Sequence, residues 1–321
     1  MENIFHAQLI ATRDAYGKAL ARVGEKNKNI VVLEADLSKS TKTEIFAKKF
    51  PDRFFQMGIA EQDMVDTAAG FATCGKIAFC STFAIFGSRG WEQIRNVVAR
   101  GHLKVALCFT HAGLSVGEDG ASAQANEDIA IFRAIPGIKI IVPADGVETE
   151  SAVEWIADHI DGTVYMRLGR EKSPVVLDKS YKFQLGKAVT LREGNDVAII
   201  ACGIMVPMAL EAADKLAAEG IKTRVLDMAT IKPIDRDAIV EAAEATGAFV
   251  TAEEHQVNGG LGGAVAEVLA LNHPVPLEMV AVKDTYGESG TPDELLEKYG
   301  LTVDAIVDAA RKATARKSGK A

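Results

Sequence analysis

In the first half of the chain, short apolar runs alternate with longer stretches of mixed polarity. Six apolar runs predict strands, because a parallel sheet covered on both faces needs nearly continuous hydrophobic sequence: NIVVLEADL, RFFQMG, KIAFCSTF, KVALCFT, IKIIVPAD and TVYMRLG. Helices are predicted between them in EQDMVDTAAGFATC, RGWEQIRNVVARG, NEDIAIFRAI and GVETESAVEWIADHI. This alternation predicts a doubly wound α/β domain over residues 1–172.

The alternation stops at REKSPVVLDKSYKFQLGKA, which is polar, contains a proline and has no helical period. We therefore place a linker at residues 173–187. A second alternation of strands (DVAIIACG, KTRVLDM, AFVTAEEH, EMVAVKD) and helices (MVPMALEAADKLAAEG, DRDAIVEAAEATG, LGGAVAEVLALN) follows, and TPDELLEKYG and TVDAIVDAARKATARK predict terminal helices. Residues 188–321 are expected to form another α/β domain.

Composition agrees with two globular domains and argues against some classes of binding partner. The chain is 48% apolar and 25% charged, as is typical of globular proteins. Its 321 residues are more than a single hydrophobic core usually stabilises. Its net charge of −8 argues against a nucleic-acid or anionic-membrane partner, although local arginines can still bind an anionic substrate. No apolar run reaches the roughly 18 residues of a membrane span, and the first residues lack the pattern of a signal peptide. We expect a cytoplasmic protein.

The cysteines do not form a recognisable metal or disulfide pattern. Cys74, Cys80, Cys108 and Cys202 contain no CxxC pair, and three of them lie in strand-like apolar runs. We expect buried free thiols, as in a reducing cytosol.

Glu61 stands where a predicted strand runs into a predicted helix, in FFQMGIAEQDMVDTAAGFATCG. If the strand ends near Met57 and Gly58 makes the turn, Glu61 lies in the first helical turn. A carboxylate there is either stabilised by the helix dipole, worth about 0.3–1 kcal/mol, or kept for chemistry. Taken alone, the residue favours the first interpretation.

Three other stretches follow strand ends, where open α/β sheets bind ligands. In STFAIFGSRGWEQI, Phe83 and Phe86 are expected to lie close together, either as ordinary packing or as a flat wall for a ring. The long Gly-rich segment THAGLSVGEDGASAQANEDIA is more than a simple connector needs, and it carries His111, Glu118 and Asp119. YMRLGREKSP places Arg167 and Arg170 at a third strand end, where a guanidinium fork forms an ion pair or binds a phosphate.

Together these stretches are similar to the transketolase family of thiamine diphosphate enzymes. The resemblance runs from about Ala11 to the end and rests on GIAEQ, STFAIF, THAGLSVGEDGASAQ and RLGR in that order and spacing. It is a resemblance to the family's C-terminal half, a pyrimidine-binding domain followed by a small C-terminal domain. It implies transfer of a two-carbon ketol unit from a ketose phosphate to an aldose phosphate.

The resemblance also implies roles for cofactor-binding residues. Glu61 matches the carboxylate that hydrogen-bonds the 1′ nitrogen of the thiamine pyrimidine, which requires a carboxyl shielded from water. Phe83 and Phe86 match positions that flank this ring and exclude water. Asp36, in EADLS, matches a residue near the cofactor across the subunit boundary.

By the same resemblance, four residues contact substrate. His111 would contact donor oxygens near the reacting carbon as a catalytic residue, and Asp119 a substrate hydroxyl. Arg170 and Arg13, in ATRDAYG, match positions that bind the sugar phosphate. One departure is Ala123, which stands where many transketolases carry a second histidine, so the acceptor side and the sugars used stay open.

The family's diphosphate and metal motif, GDG followed by an asparagine, is missing. The chain contains ADG at 144–146 and IDG at 160–162, and its GEDG lies in the substrate loop. The resemblance therefore implies a partner, an N-terminal transketolase subunit that carries the motif. This partner is expected to hold the divalent metal ion, which we expect to be Mg²⁺. It also implies a self-dimer and an α2β2 assembly, with phosphorylated sugars as substrates and no metal site in this chain.

The second domain offers a weaker candidate in NGGLGGAVAEVLA at 258–270. These glycines could form a phosphate-binding turn, but they lack the dinucleotide spacing. Tight packing between a strand and a helix accounts for them better, and His255 in AEEHQ is expected to be a structural hydrogen-bonding residue.

Three alternatives remain beside a ketol-transferring subunit. The chain could be the β subunit of a 2-oxo-acid dehydrogenase, or an enzyme similar to 1-deoxyxylulose-5-phosphate synthase. It could also be an inactive binding or regulatory module with the same fold. The His111 loop and Arg170 favour sugar phosphates, and the retained Glu61, Phe83 and Phe86 favour an active enzyme.

Overall fold

The structure is a computed structural model that describes residues 8–319. The expectation that no signal peptide is present rests on residues 1–20, of which residues 1–7 lie outside the described residues. The strands of the first half are β1 Leu9–Ala11, β2 Ile30–Glu34, β3 Phe54–Gln56, β4 Ile77–Ser81, β5 Val105–Phe109, β6 Lys139–Ile141, β7 Val164–Arg167 and β8 Lys172–Pro174. Its α-helices are α1 Thr12–Lys26, α2 Ser38–Thr41, α3 Glu44–Lys49, α4 Glu61–Thr73, α5 Ala84–Gly87, α6 Trp91–Gln93, α7 Asp128–Arg133 and α8 Gly146–His159.

The second half repeats this plan on a smaller scale. Its strands are β9 Val189–Arg192, β10 Val197–Ala201, β11 Thr223–Asp227, β12 Thr230–Lys232, β13 Phe249–Gln256 and β14 Leu277–Val282. Its helices are α9 Met205–Ala218, α10 Arg236–Thr246, α11 Leu261–Asn272, α12 Pro292–Lys298 and α13 Val303–Lys317. The predicted two-part α/β fold is confirmed by these elements.

The first sheet has the strand order β12-β6-β7-β5-β4-β2-β3. Its strands β2 to β7 run parallel, and the six predicted strands supply all of them. Central strands β2, β5 and β7 are buried at every position, which explains their continuous apolar sequence.

The second sheet has the order β14-β13-β10-β11-β9. Its four predicted strands run parallel, and β9 adds an antiparallel edge that the sequence pattern did not indicate. Helix α13 packs on this sheet from outside through Ile306, Val307 and Ala310. The expected terminal helices are both present, and Thr291 closes a capping box at the start of α12.

The sequence pattern did not predict helix α1, the short helices α2, α3 and α5, or strands β1 and β8 of the first half. Helix α1 buries Tyr16, Leu20 and Val23 in the core beside residues of α8. Strands β1 and β8 form a separate two-stranded antiparallel sheet. The predicted helix in RGWEQIRNVVARG is present but irregular, because α6 passes into a π-helix over Ile94–Ala99.

The two halves share structure at their junction. Strand β12 belongs to the second half in sequence, yet it pairs antiparallel with β6 at the edge of the first sheet. Short-range patterns do not indicate such a pairing, because its partner lies about 90 residues earlier in the chain. The domain bounds at residues 172 and 188 stay a prediction.

The cysteines are free, and Cys80, Cys108 and Cys202 are buried as expected, whereas Cys74 is exposed at the end of α4. Burial raises the pKa of each of the three buried thiols. Among residues 8–319, no helix combines the length and hydropathy that crossing a bilayer requires.

Candidate active site

The candidate residues meet because several strands end at one edge of the first sheet. Parallel pairing aligns Glu34, the last residue of β2, with Ser81, the last residue of β4. It also aligns Phe109 of β5 with Arg167 of β7. The segments that leave these strands carry Asp36, Phe83, His111 and Arg170. This carboxyl edge is where open α/β sheets place their ligands.

Glu61 begins α4 and lies almost entirely out of solvent. Its side chain is 3% exposed, and its Oε2 accepts no hydrogen bond. The nearest charge is Arg89, whose Nε lies 3.6 Å from Oε2, and the Arg89 side chain is 62% exposed. A helix dipole accounts for an acid in the first turn. It does not account for burial of an unpartnered carboxylate oxygen, which costs free energy unless something else binds it.

Phe83 and Phe86 form one stacked pair at the end of β4. Their ring centroids lie 5.5 Å apart with an angle of 13° between the planes. The two rings therefore lie nearly parallel and close together. They present an apolar wall against which a planar ring can stack.

His111 extends this wall and carries the polar atoms of the site. Its ring stacks on Phe83 at a centroid distance of 3.7 Å. Nε2 lies 3.0 Å from Nη1 of Arg13, and Nδ1 lies 2.8 Å from Oγ1 of Thr110. Because arginine only donates, Nε2 must accept, and the ring proton therefore sits on Nδ1 and is donated to Thr110.

The charge state of His111 follows from its surroundings. Burial, together with the positive charges of Arg13, Arg170 and Lys42, lowers the pKa of His111 to about 3. The imidazole is thus neutral near pH 7. The sequence analysis did not identify Lys42 as a site residue. Its ammonium group also pairs with Asp14 at 3.5 Å.

Arg170 and Asp119 lie together, as the predicted substrate-binding roles require. Nη1 of Arg170 donates to the carbonyl oxygen of Val116 and lies 3.6 Å from both the Asp119 and Glu118 carboxylates. These pairs are partly exposed, so they contribute little to stability. They leave a guanidinium with donors available at the mouth of the site.

Arg13 stands between these groups at the start of α1. Its Nη1 donates to the carbonyl oxygen of Ser40 at 3.3 Å, and its Nε is buried without a partner. Burial is the main reason that the pKa of Arg13 is lowered, with Arg170 acting in the same direction. The structure therefore brings Arg13, Arg170 and His111 close enough to affect one another electrostatically.

Asp36 is held apart from this cluster. It is exposed and has a positive φ of 61°, and its N–H donates to Oε1 of Gln56 at 2.7 Å. Gln56 in turn donates to the buried carboxylate of Glu34. A non-glycine residue with positive φ is uncommon, so this turn is fixed by the Gln56 contact.

The sequence makes Arg167 a candidate phosphate ligand together with Arg170, but the contacts of the Arg167 side chain are with other protein groups. It is 7% exposed, pairs with Asp128 at 2.7 Å, and donates to the carbonyl oxygens of Ala125 and Glu254. Its strand-end position resembled that of Arg170, and only the fold distinguishes the two.

The glycine-rich turn of the second half is filled by protein. Glu253 accepts from the N–H groups of Leu261 and Gly262 at 2.7 and 2.8 Å, so its carboxylate occupies the helix start that a phosphate would need. A Cβ on Gly260 would lie 2.1 Å from Oε2 of Glu253. His255 accepts from the N–H of Ala130 at 3.3 Å. Tight packing and a structural role for His255 are confirmed.

The two DG sequences are structural as well. Asp145 of ADG caps α8 by accepting from Glu148 N–H, and Asp161 of IDG pairs with Lys139. Within residues 8–319, no group of three or more His, Cys, Asp or Glu side chains could hold a metal ion.

Comparison with known proteins assigns the chain to a family. A family model described as transketolase, pyrimidine binding domain, matches residues 8–175, and one described as transketolase, C-terminal domain, matches residues 186–306. The chain belongs to the transketolase family. Its pyrimidine-binding domain implies the thiamine diphosphate family. The unpartnered Glu61 oxygen and the Phe83–Phe86 wall have the chemistry that the pyrimidine end of that cofactor requires.

The chain resembles C-terminal parts of transketolases. It is 47% identical over 298 residues to a transketolase C-terminal section of Methanocaldococcus jannaschii, covering 92% of this chain and 93% of that protein. It is 42% identical over 307 residues to a 6-deoxy-6-sulfo-D-fructose transketolase subunit of Clostridium sp. (strain MSTE9), covering 95% of each.

A solved structure described as a split gene transketolase, inactive β4 tetramer, matches with a TM-score of 0.90 and 54% identity over 96% of this chain and 99% of that one. The transketolase of Homo sapiens is 42% identical over 306 residues, which are 94% of this chain but 49% of the human protein. The chain thus spans about half the length of such relatives.

The ring of His111 should stay neutral well below pH 6, because burial and three cations lower its pKa to about 3. Its ring ¹⁵N signals, assigned with His111→Gln, should not shift between about pH 5 and 8 in the folded chain. In urea the same ring should titrate near 6.5. Since the unfolded chain binds the proton first, this histidine contributes stability above about pH 6.5 that is lost as the pH falls toward 3. A folded-state midpoint near 6.5 would contradict the burial described here.

Proposed function

We propose that this chain is the C-terminal subunit of a split transketolase, and that it transfers a two-carbon ketol unit from a ketose phosphate to an aldose phosphate. The observation that carries the proposal is the Oε2 atom of Glu61, which is buried without a hydrogen-bond partner. A carboxylate in that position calls for a ligand that can donate a hydrogen bond. Arg89, 3.6 Å from this oxygen, follows the stacked Phe83 and Phe86 in the chain, and that pair offers a surface for a planar ring.

Thiamine diphosphate, when bound, supplies the carbon that carries the ketol unit and the electron sink for its transfer. Glu61 would hydrogen-bond the 1′ nitrogen of the pyrimidine, and its burial would keep water from competing for that contact. Phe83 and Phe86 give the ring a flat apolar surface and exclude water from it. Asp36 is assigned to the subunit boundary, since it is exposed beside the end of β2.

The other residues bind and orient the sugar. Neutral His111 presents the lone pair of Nε2, which can accept a hydrogen bond from a donor hydroxyl when Arg13 turns toward the substrate. Arg13 and Arg170 supply guanidinium donors for the anionic end of the sugar. Asp119, 3.6 Å from Arg170, can accept from a sugar hydroxyl.

The diphosphate and its divalent metal, Mg²⁺ by its preference for phosphate oxygens, are assigned to an N-terminal partner subunit. The GDG motif is missing from the 321 residues. Ile59, two residues before Glu61, is 73% exposed, which leaves an apolar side chain next to the site for a partner to cover. We further propose an α2β2 assembly in the cytoplasm. The description of one split relative as an inactive β4 tetramer supports the need for a partner.

Sugar sulfonates are a second candidate class of substrate. The Clostridium relative is described as a 6-deoxy-6-sulfo-D-fructose transketolase subunit. A sulfonate offers the same tetrahedral oxygens as a phosphate with less charge, and Arg13 and Arg170 can bind either group. Ala123, buried where many transketolases carry histidine, does not distinguish them.

Reconstitution tests the proposed function. The chain is mixed with a GDG-bearing subunit, thiamine diphosphate and Mg²⁺, and then supplied with a ketose phosphate, its sulfonate analogue or pyruvate together with an aldose phosphate. We expect ketol transfer from the phosphate donor, and none from the chain alone. Pyruvate decarboxylation would instead indicate a 2-oxo-acid dehydrogenase or a deoxyxylulose phosphate synthase, and no turnover with any donor would favour an inactive module.

Glu61→Gln should slow proton exchange at the reactive carbon of bound thiamine diphosphate by at least about 100-fold, the usual size of a general acid–base contribution. Asp63→Asn is the matched control, because Asp63 lies in the same helical turn but is exposed. Exchange is followed by proton NMR in the reconstituted complex. Equal exchange in Glu61→Gln and wild type would remove Glu61 from this role.

Arg170→Ala should raise the KM for phosphorylated donors by about tenfold or more, since a charge-assisted hydrogen bond contributes about 1.5–3 kcal/mol. The kcat should fall much less, because Arg170 lies at the mouth of the site. Arg192→Ala, which breaks a surface pair with Asp214, serves as the control. An unchanged KM would place the phosphate elsewhere.

A further inference from the structure

The substrate loop, which we define as residues 110–124, is held by the second half of the chain. It leaves β5 with Thr110 and His111 and carries Asp119. Its backbone has positive φ at His111, Gly113, Gly117 and Gly120, so it makes several sharp turns. A loop with this many turns needs contacts outside itself to keep one conformation.

Glu254 of β13 makes the central contact. Its Oε1 accepts a hydrogen bond from the N–H of Ser115 at 2.5 Å, although the two residues are 139 positions apart. The Glu254 side chain is 4% exposed, so water does not compete for this bond. A carboxylate that accepts from a buried backbone N–H makes one of the stronger hydrogen bonds in proteins.

Gly113 shows how closely the carboxyl group fits the loop. A Cβ at this position would lie 2.3 Å from Cδ of Glu254 and 2.5 Å from each carboxylate oxygen. Only a residue without a side chain allows this approach, and its φ of 86° also favours glycine. The loop backbone is therefore built around the Glu254 carboxylate.

The same strand end anchors the segment that follows the loop. The N–H of Gln256 donates to the carbonyl oxygen of Asn126 at 2.6 Å. Arg167 donates to the Glu254 carbonyl oxygen at 2.9 Å and pairs with Asp128. Gln124, at the end of the substrate loop, donates to the carbonyl oxygen of Glu288 at 2.9 Å, and Glu288 also belongs to the second half.

We propose that Glu254 is a positioning residue for the substrate loop, which it holds so that His111 and Asp119 face the bound sugar. That the loop binds sugar rests on the proposed function. The contact between Glu254 and the loop does not depend on that function. The second half, which holds none of the residues assigned to cofactor or substrate, thereby acts on sugar binding.

The matched control for this proposal is Glu253, the preceding residue. It is an equally buried carboxylate in the same strand, but its hydrogen bonds go to Leu261 and Gly262 at the start of α11 and not to the loop. Loss of either carboxylate removes buried hydrogen bonds from the same strand. Only loss of Glu254 should release the substrate loop.

Hydrogen–deuterium exchange on the full chain without partner or cofactor tests the contact directly. Glu254→Ala should raise amide exchange in peptides covering 111–124 by about tenfold or more, as expected for loss of a hydrogen bond to a charged group. Glu254→Gln keeps an acceptor oxygen and should stay within about threefold of wild type. Glu253→Gln should raise exchange near the start of α11 only. Should Glu254→Ala not fold, Glu254→Asp shortens the side chain and should give an intermediate increase.

The reconstituted enzyme gives the second readout. Glu254→Ala should lower kcat/KM for the ketose phosphate by about tenfold or more, with no change in the thiamine diphosphate concentration that gives half-maximal activity. Unchanged loop exchange in Glu254→Ala, or an equal increase in Glu253→Gln, would overturn the proposal even if ketol transfer is confirmed. Failure of ketol transfer with altered loop exchange would overturn the proposed function and leave the positioning contact standing.

Discussion

The structure depends most on the desolvation of one carboxylate, that of Glu61. A buried oxygen with no donor is unfavourable, and α4 compensates only in part through the dipole at its start. Arg89 lies 3.6 Å away but is mostly in solvent, so it is a weak partner. The site is thus complete only when a hydrogen-bond donor is placed on Oε2, and the Phe83–Phe86 wall favours a planar ring as the ligand.

Around this carboxylate the fold separates two tasks. The Phe83–Phe86 pair forms an apolar wall, and Glu61 is a buried carboxylate at the start of α4. Arg13, Arg170 and Lys42 form the cationic side, and their charges, together with burial, keep His111 neutral. Within residues 8–319, no hydrogen bond or ion pair joins the second half of the chain to Glu61, Arg13, Arg170 or Lys42. The second half acts through the Glu254 carboxylate on the substrate loop.

Much of this architecture could be predicted from the sequence, for physical reasons that differ between elements. The six strands of the first half were found because a doubly covered parallel sheet requires uninterrupted apolar runs. Helix α1 was missed although Tyr16, Leu20 and Val23 follow a helical period, so its pattern could have identified it. Strand β12 could not be found in this way, because its pairing with β6 is set by tertiary structure. The candidate site residues could also be predicted only in part. The order and spacing of the motifs indicated which residues belong to the site. Sequence could not show the buried pairing of Arg167, the direct stacking of Phe83 on Phe86 or the Glu254 contact, because these depend on the tertiary structure.

The most direct measurement of the central claim is a crystal structure of the chain with its GDG-bearing partner, thiamine diphosphate and Mg²⁺. The account predicts that Oε2 of Glu61 lies about 2.6–3.2 Å from the 1′ nitrogen of the pyrimidine, with that ring against the phenylalanine wall. A pyrimidine bound elsewhere, with Glu61 still facing Arg89 or turned toward bulk water, would contradict it.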